Sequence, residues 1–261
     1  MKETPEIIYE DNDIIIIDKP AGMIVNNVDT TKNILTVQEW VGQHLKIRST
    51  KSEARNKPKI VNSNDENNFE FAARGGIVHR LDKETSGVLI LAKNEESFEN
   101  LKKQFKEKEV KKTYIALCYG EIKPSSGEIN IPTGRLPWNR MRFGVLPQGR
   151  ETRSKYKVLS IKYKVWDKVS EPLSLVEVYP ETGRTHQIRV HMQYISHPIF
   201  ADELYAGRKI SKRDRKILPR HFLHASRIVF DHPRTGQRLE FESPLPPDLV
   251  NFLSKLGNSQ V

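Results

Sequence analysis

Gly76-Ile77-Val78-His79-Arg80-Leu81-Asp82-Lys83-Glu84-Thr85-Ser86-Gly87-Val88-Leu89-Ile90-Leu91-Ala92-Lys93 reads as apolar strand, charged turn, apolar strand. Ile77, Val78 and Leu81 lead in. Val88 to Ala92 is a continuous apolar run with β-branched members, the pattern of a buried strand. The turn between them presents Asp82 at the end of buried strands, with Arg80 two residues earlier. A fold uses that arrangement to offer an oriented carboxylate to a ligand. Taken alone, so many charges in one loop read more naturally as a solvated surface turn. The rest of the chain decides between the two.

The chain has 261 residues, room for one large domain or one domain with an appendage. It carries 43 Lys and Arg against 33 Asp and Glu, a formal charge of +10, which points to a polyanionic partner and to nucleic acid first. An anionic membrane is the weaker alternative. No apolar run approaches the roughly 20 residues of a spanning helix, and Met1-Lys2-Glu3-Thr4-Pro5 lacks a signal-peptide core. The single cysteine, Cys118, excludes an intramolecular disulfide and a cysteine-based zinc site. Between Leu117 and Tyr119 it reads as a packed core thiol, in keeping with a reducing, cytoplasmic setting.

Outward from the opening stretch, strands are expected at Ile7–Tyr9, Ile14–Ile17 and Met23–Val25, the last two joined across Asp18-Lys19-Pro20-Ala21-Gly22. Thr36 to Leu45 places Val37, Trp40, Val41 and Leu45 on one helical face. Residues 46–68 are basic and poor in apolar residues, the composition of a mobile insertion within the domain. Asn94 is an N-cap type, followed by Glu95 and Glu96 and an apolar stripe of Phe98, Leu101 and Phe105. Thr113–Tyr119 is a strand by composition. The prolines and glycines of 121–155 suggest a loop-rich hairpin region, with strands at 156–159 and 173–179 beyond it. A helix begins at Gly183-Arg184-Thr185 with Ile188, His191, Met192 and Ile195 facing the core. A hairpin spans 228–241, and a last helix covers 248–255.

Three segments offer candidate chemistry: His79-Arg80-Leu81-Asp82, Lys111-Lys112-Thr113-Tyr114, and Gly183-Arg184-Thr185-His186-Gln187-Ile188-Arg189 on to Met192. Each residue has a plain structural reading too. A strand tyrosine is commonly a packed aromatic, and Arg184 and Arg189 could be surface cations. His186 and His191 are five residues apart, the wrong spacing for two ligands on one helix face, so no metal site is expected. No phosphate-cradling glycine motif is present.

Taken in order, these segments resemble the RluA family of RNA pseudouridine synthases. The similarity extends to Asp18–Gly22, Gly76–Lys93, Lys112–Ala116, Thr182–Met192, His197-Pro198-Ile199 with Asp202 and Leu204-Tyr205, Phe222–Ala225, and the tail from Asp231 to Pro246. The resemblance implies conversion of uridine in structured RNA to its C-glycoside isomer, without cofactor or metal. By it, Asp82 is the catalytic aspartate and Tyr114 packs against the target base and takes the C5 proton. Arg189 pairs with the aspartate, and Arg80 holds the place of the extruded nucleotide. His79, Lys112, Arg184, Thr185, His186 and Gln187 are implied to contact the RNA. The chain departs from the family at Ala201, where glycine is usual, in Gly149–Ser154, and in the long basic 46–68 segment.

Elementary chemistry agrees with that reading. Isomerisation breaks C1′–N1, turns the uracil and rebonds through C5. An ionised carboxylate serves as nucleophile at C1′ or as base at the ribose. Burial alone would neutralise it, whereas a neighbouring guanidinium, which cannot deprotonate, keeps it charged. The basic runs at 102–112, 135–155 and 207–220 suit phosphates.

The expectation is therefore a single α+β catalytic domain over 1–261, with a large mixed or antiparallel sheet divided by a central cleft, helices and loops flanking it, and no accessory RNA-binding domain ahead of it. Asp82 would lie on the cleft floor, with Tyr114 and Arg189 facing it. The substrate would be ribosomal or transfer RNA, with no cofactor, no metal, no membrane partner, and a monomer in the cytoplasm. Two alternatives stand beside it. One is a non-catalytic RNA-binding or ribosome-assembly factor on the same scaffold. The other is a hydrolase with Asp82 as nucleophile, for which Glu84 is the nearest second carboxylate.

Overall fold

The computed structural model describes residues 4–27, 34–45, 70–166 and 169–258, so the 46–68 segment lies outside the described residues. In chain order the elements are β1 Glu6–Glu10, β2 Ile14–Lys19, α1 Val37–His44, β3 Ser86–Ala92, α2 Glu95–Glu107, β4 Lys111–Tyr119, β5 Ser126–Leu136, β6 Asn139–Val145, β7 Arg150–Trp166, β8 Val169–Pro180, α3 Gln187–Tyr194, α4 Arg208–Asp214, β9 Leu223–Asp231, β10 Arg238–Glu242, α5 Pro247–Ser254 and β11 Gly257–Asn258. The chain gathers into two compact units. Residues 1–110 with 229–242 make the first, and residues 111–228 with 243–261 make the second.

In the first unit β1, β2 and β3 are antiparallel neighbours. Ile14 to Ile17 are fully buried, as are Leu89 to Ala92, so β2 and β3 read as unbroken apolar runs rather than alternating ones. The register pairs Ile14 with Ala92 and Lys19 with Gly87, which sets the end of β2 opposite the start of β3. Thr36 caps α1 by accepting the Glu39 N–H, and Asn94 caps α2 by accepting that of Ser97. Phe98 and Leu101 are fully buried, as the stripe on α2 requires.

Two expected strands are not formed. Before the turn, Ile77 makes only an isolated bridge to Leu91. Gly76, at φ +75°, is held so tightly that a Cβ there would lie 2.0 Å from the Ala92 carbonyl oxygen. Residues 23–25 are irregular, because their carbonyls bind other groups: Met23 accepts from the Lys19 ammonium, while Ile24 and Val25 accept from the first N–H groups of α1.

In the second unit the strand order is β4, β8, β7, β5, β6, all antiparallel, with β11 beside β7. The single parallel contact among the described pairings is an isolated bridge, Gly120 to Leu173. The α+β class expected from the sequence is the one observed. The region 121–155 is far more regular than expected. Gly127, Pro132 and Gly134 sit within β5 and Gly144 within β6, and in β5 Ile129, Ile131 and Thr133 alternate inward from less buried neighbours. Cys118 is fully buried, and burial raises its thiol pKa. On α3, Ile188, His191 and Met192 are buried and Ile195 packs against the same core.

Candidate active site

Asp82 stands in the turn before β3, half-buried, and its carbonyl accepts the Thr85 N–H at 3.1 Å. The next carbonyl, of Lys83, accepts from the Gly22 N–H at 2.7 Å and from the Lys19 ammonium at 3.3 Å. Lys19 has no solvent exposure at all, and its Nζ also reaches the Pro20 and Met23 carbonyls at 2.8 and 2.9 Å. A buried ammonium needs such a cradle of oxygens, and this one joins the 19–23 turn to the residue after Asp82. Upstream, His79 Nε2 accepts the Ile90 N–H at 3.0 Å while its ring stacks on Phe105 at 4.8 Å. Arg80 is exposed.

The second unit holds Arg189 on α3. Its guanidinium makes a bidentate pair with Asp202, Nε to Oδ2 at 2.7 Å and Nη2 to Oδ1 at 2.9 Å. Arg189 is 6% exposed and Asp202 is fully buried. Burial pushes the Asp202 carboxyl up, but the hydrogen bonds and charge of Arg189 outweigh it, and the net shift is downward. Asp202 Oδ1 also accepts the N–H groups of Leu204 and Tyr205. The Tyr205 ring lies 5.0 Å from the Arg189 guanidinium and 5.2 Å from that of Arg142. Burial raises the Tyr205 pKa, so the phenol stays protonated. It accepts the Phe143 N–H at 3.0 Å and shares a hydrogen bond with His186 Nδ1 at 2.9 Å. His186 itself takes a left-handed conformation, φ +58°, that non-glycine residues adopt only under constraint.

The remaining sequence candidates fall into place around this shelf. The Gln187 amide is satisfied on all sides. Its nitrogen donates to the Arg153 carbonyl and to Ser154 Oγ, and its oxygen accepts from Thr182 Oγ1 and the Arg184 N–H. It therefore shapes the 182–187 loop. Arg184 is exposed and Thr185 half-buried. Tyr114 lies on β4 opposite Val178, half-buried against the apolar core. Lys112, two residues earlier, donates to the Thr182 carbonyl at 3.3 Å, and burial draws its pKa down to about 8.

The sequence singles out no individual task for Asp202, Tyr205, Arg142 or Lys19: Asp202, Tyr205 and Lys19 stand in segments that carry the family resemblance, and Arg142 in the 135–155 basic run. The resemblance pairs Arg189 with Asp82; within its own unit the guanidinium is fixed by Asp202. Among the described residues, one grouping could bind a metal: Asp11, Asp13 and His232. Its oxygens already serve Arg234, Asn94, Tyr9, His232 and backbone N–H groups, so it reads as a structural knot of the first unit. No helix among the described residues is long and apolar enough to cross a membrane.

Comparison with known proteins gives a consistent answer. The family model described as RNA pseudouridylate synthase matches residues 13–194. A Bacillus subtilis protein named an uncharacterized RNA pseudouridine synthase is 35% identical over 251 residues, covering 96% of this chain and 72% of its own length. Ribosomal large subunit pseudouridine synthase D of Nitrosomonas europaea is 36% identical over 257 residues, covering 97% of this chain and 65% of its own. Among solved structures, human RNA pseudouridylate synthase domain containing 1 shares the fold, with a TM-score of 0.66 at 24% identity over 98% of this chain and 97% of that one. The chain belongs to the RluA-type RNA pseudouridine synthases, enzymes that isomerise uridine to pseudouridine in RNA.

Proposed function

We propose that the chain isomerises a defined uridine of ribosomal RNA, with Asp82 as the catalytic carboxylate, Tyr114 as the aromatic wall for the uracil and Arg189 as the fixed cation of the same reaction. The observation that carries this reading is the family match over residues 13–194, which contains all three side chains. Relatives named as ribosomal large subunit synthases favour ribosomal over transfer RNA. Both units of the chain serve this one reaction, as a monomer in the cytoplasm.

The target nucleotide is everted from the folded RNA, at a cost of a few kcal/mol, and Arg80, exposed beside Asp82, fills the place it leaves. Ionised Asp82 either attacks C1′ or takes a ribose proton, and the C1′–N1 bond breaks with its electron pair going to the uracil. The uracil turns against Tyr114 and its C5 bonds to C1′, displacing the Asp82 carboxylate on the first route, or with Asp82 returning the proton to the ribose on the second. The C5 proton then leaves through the Tyr114 hydroxyl, and N1 is protonated. Lys112, with its pKa near 8, and the exposed Arg184 and Thr185 contribute to holding the RNA.

Asp82→Asn tests the assignment. We expect no pseudouridine from this variant on an unmodified large-subunit ribosomal RNA transcript, with RNA affinity retained. Undiminished product formation would overturn the catalytic role. A wild-type protein that binds the transcript without modifying it would support the assembly-factor reading, and release of free uracil the hydrolase one.

A further inference from the structure

The β5–β6 hairpin carries two features that the proposed reaction does not use. Its turn, Pro137-Trp138, leaves Trp138 76% exposed, and Met141 close by is 73% exposed. No other large apolar side chain among the described residues is so open to solvent. The second feature is charge. Between Glu128 and Glu151 the sequence holds Arg135, Arg140, Arg142 and Arg150 and not one carboxylate. A tryptophan held in water among arginines is costly for a monomer and serves no fold. It suits a partner that presents both a flat π-face and dense negative charge.

The hairpin is stiffened up to its tip. Arg135 donates to the Arg140 carbonyl at 2.8 Å across the two strands, and its guanidinium covers the Phe143 ring at 5.0 Å. The Phe143 N–H binds Tyr205 Oη and its ring meets His186 edge-on at 5.5 Å. Arg142 lies over Tyr205, and its buried Nε has no hydrogen-bond partner. The root of the hairpin is thus fastened to the same Tyr205 that flanks Arg189. Trp138 is five residues further along, roughly 17 Å at a strand's rise of about 3.3 Å per residue.

We propose that the hairpin tip is an RNA clamp: Trp138 stacks on an unpaired base of the substrate, Met141 packs beside it, and Arg140 takes a neighbouring phosphate. Stacking is indifferent to base identity, whereas phosphate contact is salt-dependent. The clamp therefore selects an accessible, unpaired nucleotide at a fixed span from the Arg189 shelf, rather than a sequence. This inference rests on the reading of the chain as an RNA-modifying enzyme and names the part of the substrate it grips.

The test compares wild type, Trp138→Ala and Trp138→Phe on an unmodified large-subunit ribosomal RNA transcript. Trp138→Ala should weaken binding by about 5- to 150-fold, the fold-change of one lost base–aromatic stack. The loss should appear in KM with kcat unchanged. Trp138→Phe should recover most of the affinity, and both variants should melt close to the wild type because the side chain lies mostly in solvent. Unchanged affinity in Trp138→Ala overturns the clamp. So does a wild-type dimer that Trp138→Ala converts to monomer, because the tip would then be a contact between two copies of this chain. If the wild type makes no pseudouridine on the transcript yet binds it through Trp138, the clamp stands and the assigned substrate falls.

Discussion

Asp82 and Arg189 are held by opposite means. Asp82 rides on a turn whose shape comes from the backbone: its own carbonyl and that of Lys83 are tied to Thr85, Gly22 and the buried Lys19, while Gly76 and His79 fasten the approach to β3. Arg189 stands on a helix and is fixed by side chains, a bidentate carboxylate on one side and Tyr205 on another, with His186 and Phe143 holding the phenol. A turn framed by main-chain hydrogen bonds fixes where a side chain starts without using that side chain's own atoms to do it. A group that supplies constant charge gains from being locked. An arginine cannot lose its proton, so the cost of burying it is met once, at folding, by Asp202.

The largest expected effect breaks the locked side. Asp202→Asn keeps the shape and removes the charge, taking from the buried guanidinium its bidentate carboxylate. Removing one partner of such a pair costs about 3–5 kcal/mol. Chemical denaturation should show a loss of that order, and pseudouridine formation should fall with it. A loss below about 1 kcal/mol, the value of an exposed pair, would mean that Arg189 is held by something other than the Asp202 carboxylate.

A second effect reaches the same helix from below. His191, two residues beyond Arg189 on α3, is fully buried, its Nε2 bonded to Thr152 Oγ1 at 2.7 Å. Burial depresses its pKa to about 4. The unfolded chain therefore takes up a proton near pH 6.5 that the folded chain refuses until about pH 4. Stability is lost as pH falls through that window, up to roughly 3 kcal/mol at its lower end. His191→Gln removes this component, so the gap between wild type and variant should change between pH 6.5 and 4 and stay level from pH 7 to 9. A constant gap across the whole range would show that His191 is not held neutral.

Much of this was legible in the sequence, for reasons that differ by region. The Ile14–Ile17 and Val88–Ala92 runs announce central strands because both faces are buried, and Asn94 with Glu95 and Glu96 announces the start of α2 because capping is local chemistry. The strands β5 and β6 are hidden by Gly127, Pro132, Gly134 and Gly144, which usually punctuate but here sit inside the pairing. Ile77 failed as a strand because the Gly76 backbone presses against Ala92. Asp202 could not be assigned, since thirteen residues of chain separate it from Arg189 and only the fold returns it. Lys19 stands in a turn that also carries the family resemblance. Nothing in Asp18-Lys19-Pro20-Ala21-Gly22 says that its ammonium points inward.

Lys19 gives the smallest effect and the sharpest one. Lys19→Met preserves the length and burial of the stem and removes the ammonium that gathers the Pro20, Met23 and Lys83 carbonyls. The carboxylate of Asp82 is untouched, but the carbonyl of the residue after it loses the Lys19 ammonium and keeps the Gly22 N–H. Small misplacements of a reacting group are enough to slow a positioned reaction. The rate of isomerisation should fall on the order of tenfold, with RNA affinity unaltered. Lys19→Arg, which restores charge but not the compact three-carbonyl geometry, should not recover the rate. If Lys19→Met instead weakens RNA binding and leaves the rate alone, the turn at 19–23 belongs to substrate capture, and the contrast between a backbone-framed carboxylate and a side-chain-locked cation would have to be redrawn.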